Sequence, residues 1–102
     1  WKMMAKSSEL TISKILEFIQ AEGGPPSMWY IGVTDDAQRT LFNEHDVHCQ
    51  NDAWIYRTAQ SAIEAQRVEE YFLEYGLDGR KTGKHSGSLI VYAYRKSISS
   101  KP

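Results

Sequence analysis

The sequence predicts a small α+β domain: a three-stranded mixed β-sheet flanked by helices, in the order α-β-α-β-α-β. Two observations carry this. Stretches with apolar residues at three- and four-residue spacing alternate with short runs rich in β-branched and aromatic residues. Capping residues and Gly- or Pro-rich turns separate the two kinds of stretch. At 102 residues, 41% hydrophobic and 25% charged, the chain suits one domain with a modest core. That domain spans 1–102, and the ends, 1–7 and 97–102, read as flexible.

The first helix begins near Ser8 or Thr11. Ile12, Ile15, Leu16 and Ile19 form one apolar stripe that covers the sheet. Gly23-Gly24-Pro25-Pro26 stops it, because proline removes backbone donors and glycine supplies unusual dihedrals. The first strand is Trp29 to Thr34, with Ile31, Val33 and Thr34 as β-branched members. Gly32 interrupts it and marks close approach of another backbone or a ligand. Asp35 can cap the next helix, with Gln38 three residues on. Ala37, Leu41 and His45 then share one face. A strand thus ends where a helix begins, and free N–H groups at such a junction can bind an anion.

From His45 to Asn51 the chain is polar and irregular. His45, Asp46, His48 and Cys49 crowd into five positions. Zinc sites draw ligands from two separated pairs, so this segment reads as a loop. The second strand, Trp54 to Thr58, turns Trp54 and Tyr56 to one face and Ile55 and Arg57 to the other. Ser61 and Glu64 form a capping box for the third helix. Ala62, Ala65, Val68, Phe72 and Tyr75 make its buried stripe, and Gly76 with Leu77 closes it. Glu69 falls within that stripe while Glu70 turns toward solvent. An apolar face excludes a carboxylate unless it is paired or binds metal. An ion pair to Arg39 or Arg57 at the core edge is one explanation, and metal binding is the other.

The loop from Gly76 to Ser88 carries Arg80, Lys81, Lys84 and His85. Its spacing is wrong for a Walker-type phosphate loop. It can still lie as a basic arm along a phosphate backbone. The third strand, Leu89 to Arg95, is apolar or aromatic on both faces, which predicts a central or doubly covered strand. Helical stretches between the strands permit parallel pairing, but three strands leave their order open.

The net charge of −1 hides an asymmetry. Residues 1–75 hold six Lys/Arg and twelve Asp/Glu, whereas residues 76–102 hold six Lys/Arg and one Asp. The basic quarter can meet nucleic acid, although charge alone favours a solvated face and a frayed tail. No apolar run approaches the ~20 residues of a membrane span. Without a signal-peptide core at the start, and with Cys49 as the one cysteine, the expected compartment is reducing and cytoplasmic.

Tyr30-Ile31-Gly32, then Thr34, Asp36, Arg39 and His45, resembles the second half of the GIY-YIG nuclease signature. The resemblance extends through Glu64-Ala65, Val68-Glu69 and Phe72, so it covers Trp29 to about Gly76. It implies metal-dependent phosphodiester cleavage of DNA. Tyr30 would activate or orient water, Arg39 would stabilise phosphate charge, and His45 would assist proton transfer. Glu69 would hold Mg²⁺ or Mn²⁺. Apart from the resemblance, their charge makes Arg57, Arg80, Lys81 and Lys84 the residues expected to contact the nucleic-acid backbone. The family's Gly-Ile-Tyr strand is absent upstream, where Gly23 to Pro26 cannot form a central strand. Arg39 stands one position early against some members, and the asparagine that often follows the metal helix has no counterpart. One expectation follows: the 89–95 strand fills the vacant place, and Tyr92 or Tyr94 replaces the missing tyrosine. The competing class is a non-catalytic module that binds nucleic acid or protein on a degenerate GIY-YIG fold. A nuclease gathers Tyr30, Arg39, His45 and Glu69 in one cleft, and a binding module scatters them.

Overall fold

Strand pairing sets the architecture. In a computed structural model, which describes residues 7–80 and 87–102, three strands form one sheet. They are β1 (Trp29–Thr34), β2 (Trp54–Thr58) and β3 (Ile90–Arg95), and the spatial order is β1-β3-β2. Both pairs are antiparallel. The three-stranded sheet is thus antiparallel where a mixed one was expected, because β3 pairs with both other strands; a single parallel bridge, outside the strands, joins Tyr30 to Asp78 on the outer edge of β1. The class is α+β, with elements in roughly the α-β-α-β-α-β order. The central place of β3 explains its apolar character on both faces: four of its six residues are buried.

Register sorts the side chains. Tyr30 stands opposite Tyr94, and Gly32 opposite Tyr92, while Trp54 and Tyr56 face the same two tyrosines from β2. One face of the sheet is therefore aromatic. The other presents Trp29, Ile31, Ile55, Val91 and Ala93, which are buried under the two helices. These are α1 (Ser7–Glu22) and α2 (Ala62–Tyr75). Ile15 and Ile19 of α1 pack there with Ala65, Val68 and Phe72 of α2. Burial of such side chains contributes about 1.5–3 kcal/mol each, so this layer holds the fold together.

Local chemistry explains the ends of the elements. The Ser61 hydroxyl accepts the Glu64 N–H at 3.1 Å and caps α2. At the far end the N–H groups of Gly76 and Leu77 return to the Phe72 carbonyl, at 3.1 and 3.0 Å. Tyr75, expected in the buried stripe, instead lies half exposed against Tyr71, with ring centroids 6.1 Å apart. Leu77, beyond the cap, is buried in the same cluster as Phe72. Arg95 ties the end of α1 to the sheet by donating to the Glu22 carbonyl at 2.7 Å.

A helical turn follows β1, and its cap is Asp36 rather than Asp35. Asp36 Oδ1 accepts the Arg39 N–H at 3.1 Å, while the Thr34 hydroxyl accepts the Asp36 N–H. The turn widens to a π-helix over Arg39–Glu44. The His45 N–H then reaches the Thr40 carbonyl, five residues back, at 3.0 Å. Such π turns recur at functional sites. Here it sets Leu41, Val47 and His45 over the aromatic face. Among the described residues, no helix is long and apolar enough to cross a membrane.

Candidate functional site

Three phenols and one imidazole meet on the aromatic face. The Tyr30 ring lies 4.9 Å from the His45 ring and 5.3 Å from the Tyr94 ring, centroid to centroid. Tyr30, Tyr92 and Tyr94 form one buried cluster with Leu41 and Val47. Gly32 makes room for it. A Cβ there would meet Cε2 of Tyr92 at 2.8 Å, and Cζ and the hydroxyl closer still. The close approach expected at Gly32 is thus that of a phenol on the neighbouring strand.

His45 is held at both nitrogens. Nε2 lies 2.8 Å from the Tyr92 hydroxyl. Nδ1 lies 2.6 Å from the Lys101 carbonyl and 3.0 Å from the Tyr94 hydroxyl. A carbonyl only accepts, so Nδ1 carries the proton. Nε2 of the neutral ring then accepts, and Tyr92 donates. The 97–102 segment, which the sequence marks as a flexible end, here lies along His45. The Lys101 N–H also reaches the His45 carbonyl at 2.6 Å, and Lys101 Nζ pairs with Asp46 at 3.0 Å.

Burial pushes the phenols of Tyr92 and Tyr94 far above the usual tyrosine range. Neutral neighbouring phenols add no charge to relieve this, so both stay protonated near neutrality. Tyr30 is raised as well, first by burial and then by the charges of Asp78 and Glu69, with Arg80 opposing. Tyr92 also senses Glu44 and Glu69.

The other expected site residues divide. Glu69 is fully buried on α2, whose apolar residues pack the opposite face, yet its charge reaches Tyr30 and Tyr92. Arg39 is half exposed and engaged with three carboxylates: Asp35 at 3.3 Å, Asp36 at 3.9 Å and Glu44 at 3.2 Å. Arg80 is exposed and close enough for its charge to oppose the rise at Tyr30. It is brought there by the bridge of Asp78 to β1, where Asp78 N–H donates to the Trp29 carbonyl at 2.8 Å. Gly79 permits that path, since a Cβ would stand 2.6 Å from the Ile31 carbonyl oxygen. Arg57 points to the helix face of β2, two strands from Tyr30, and donates to the Tyr56 carbonyl at 2.8 Å. It therefore stands apart from the phenols. Lys81 and Lys84 lie outside the described residues.

Sequence reasoning missed two parts of this arrangement. Arg80 was legible only as a nucleic-acid backbone contact, because its reach to Tyr30 depends on the bridge that sets Asp78, two residues earlier, against Tyr30. The Lys101 carbonyl carries no side-chain signal at all.

Among the described residues no group of three or more His, Cys, Asp or Glu side chains is placed to hold a metal. The donor chemistry at Glu69 suits a hard cation nonetheless. Magnesium commonly takes one or two carboxylates and keeps several waters. Glu69 has no exposed surface, so no ion reaches it without displacing the groups that cover it. No protein-family model, curated protein or solved structure matches the chain.

Proposed function

We propose that the aromatic face is a phosphodiester-cleaving site of the GIY-YIG kind acting on DNA, with the tyrosine-bearing strand last in the chain instead of first. One observation carries this reading: β3 lies beside β1, and the Tyr92 hydroxyl is bonded to His45 Nε2 at 2.8 Å. The pairing of the 89–95 strand with the 29–34 strand supports this reading.

The chemistry follows from the protonation pattern. Tyr92 stays neutral, so it works as a relay and not as a phenolate. Its oxygen accepts a proton from the attacking water while its own proton passes to His45 Nε2. Positioned proton transfer of this sort is worth roughly 10²–10⁴ in rate. The imidazolium that forms is stabilised at Nδ1 by the Lys101 carbonyl. Arg80 supplies positive charge beside Tyr30 for the phosphate, a role that Arg39, enclosed by carboxylates, fills poorly. Glu69 would hold Mg²⁺ or Mn²⁺, which supplies Lewis-acid stabilisation of phosphate charge when bound. A cytoplasmic location accords with the free, exposed Cys49, which ties the fold to no disulfide.

The enclosure of Glu69 and the neutralisation of Arg39 favour a second reading, a module that binds nucleic acid or protein without cutting. Supercoiled plasmid separates the two. Wild type and Glu69→Ala are compared with Mg²⁺ and with Mn²⁺, each protein checked for folding by circular dichroism. Metal-dependent nicking that is lost in the variant supports the nuclease. Absence of nicking by folded wild type, across metals and substrates, selects the binding module.

A further inference from the structure

His45 would be a poorly defined proton acceptor if its tautomer were free to change. Neutral imidazole in water favours a proton on Nε2, and that form would face Tyr92 with a donor. The segment 97–102 prevents this. Its Lys101 carbonyl sits 2.6 Å from Nδ1, and the Tyr94 hydroxyl donates to the same carbonyl at 3.4 Å.

The segment is fastened at several points. The Lys101 N–H reaches the His45 carbonyl, and Lys101 Nζ meets Asp46. Ser97 N–H donates to the Ser100 hydroxyl at 2.8 Å, and Ser97 Oγ reaches Asp52 Oδ2 at 3.4 Å. Residue 45 and residue 101 thus clasp each other twice, main chain to main chain and main chain to ring. The Lys101–Asp46 and Ser97–Asp52 contacts bind the segment to the 46–52 loop that follows His45 in the chain, and the Ser97–Ser100 bond closes a turn within the segment.

We propose that residues 97–102 are a positioning strap, in which the Lys101 carbonyl locks His45 in the Nδ1–H form and turns Nε2 toward Tyr92 as an acceptor. Lys101 does not touch substrate in this scheme; it acts through His45. The inference deepens the reading of His45 as proton acceptor and rests on it for its purpose. The tautomer itself is measured with no substrate present, so the strap and the nuclease can fail separately.

The test is a long-range ¹H–¹⁵N spectrum of the His45 ring in the full chain. Wild type is compared with a variant carrying Ser97→Ala, Ser100→Ala and Lys101→Gly, all outside the core. A second variant, Asp46→Ala, removes one anchor only. Wild type should show Nδ1 protonated and Nε2 bare. The triple variant should shift the ring toward the Nε2–H form, with Asp46→Ala between the two. An Nε2–H ring in wild type overturns the strap. So does an unchanged Nδ1–H ring in a folded chain cut after Lys96, which lacks the Lys101 carbonyl that the triple variant keeps, since the tautomer would then owe nothing to residue 101. The expected tautomers in a protein that never nicks DNA uphold the strap and remove the nuclease.

Discussion

The ring of Tyr92 occupies the space that a side chain at residue 32 would need. Both residues lie on the aromatic face, directly opposite each other on β3 and β1. Gly32→Ala therefore forces a buried phenol, or the backbone beside it, to move. The expected loss of stability is about 1–3 kcal/mol, as for other overpacked cores. Urea unfolding measures it. A loss near zero would mean that the two strands do not pack as described.

Tyr92 and Tyr94 should separate in their effects. Tyr92→Phe leaves His45 Nε2 without its donor, whereas Tyr94→Phe leaves that bond intact. Each change costs roughly 1 kcal/mol of stability. On the proposed nuclease reading, cleavage should fall by roughly 10²–10⁴ for Tyr92→Phe and by much less for Tyr94→Phe. Single-turnover rates on a labelled duplex rank the two, and the opposite ranking would move the relay to Tyr94.

Arg80, more than Arg39, should govern Tyr30. The Arg80 charge lowers the Tyr30 phenol against burial, so Arg80→Ala should make Tyr30 titrate at still higher pH. Arg39→Ala should leave that titration in place. Its ion pairs are half exposed and worth at most about 1 kcal/mol. Tyrosine ¹³Cζ shifts followed against pH report both. Equal responses would show that Arg80 does not sit beside Tyr30.

Acid should loosen the segment that brings Arg80 to Tyr30. The hydrogen bond from Lys96 Nζ, 3.0 Å from Asp78 Oδ2, holds the Asp78 carboxyl below the usual range. Its contribution is present above the unfolded carboxylate value of about 3.9. It disappears as pH falls through the lower folded value. Wild type should thus lose stability more steeply at the acid end than Asp78→Asn. The difference should be small, since the pair is partly exposed. Urea midpoints taken across the acid range give the two slopes, and parallel slopes would remove Asp78 from the account.

Much of the fold was legible because it is written locally. The capping hydroxyl of Ser61, the Gly76-Leu77 close of α2 and the 29–34 and 54–58 strands depend on neighbours in sequence. Periodicity also singled out Glu69 as the carboxylate on a buried stripe, and it is fully buried. Tyr75 deceived the same reasoning, because a helical period cannot tell where the sheet beneath the last turn ends.

The sequence by itself determined the α+β class, the alternation of helices and strands, and the two-faced character of each strand. Tertiary structure alone decided that β3 lies between β1 and β2, since pairing partners 32 to 66 residues apart leave no local trace. It also decided that Arg39 spends its charge on nearby carboxylates, that the charge of Arg80 opposes the rise at Tyr30, and that a backbone carbonyl at residue 101 meets His45 Nδ1. Backbone groups are the same in every residue, so what they bind is set by where the chain returns and not by the letter at that position.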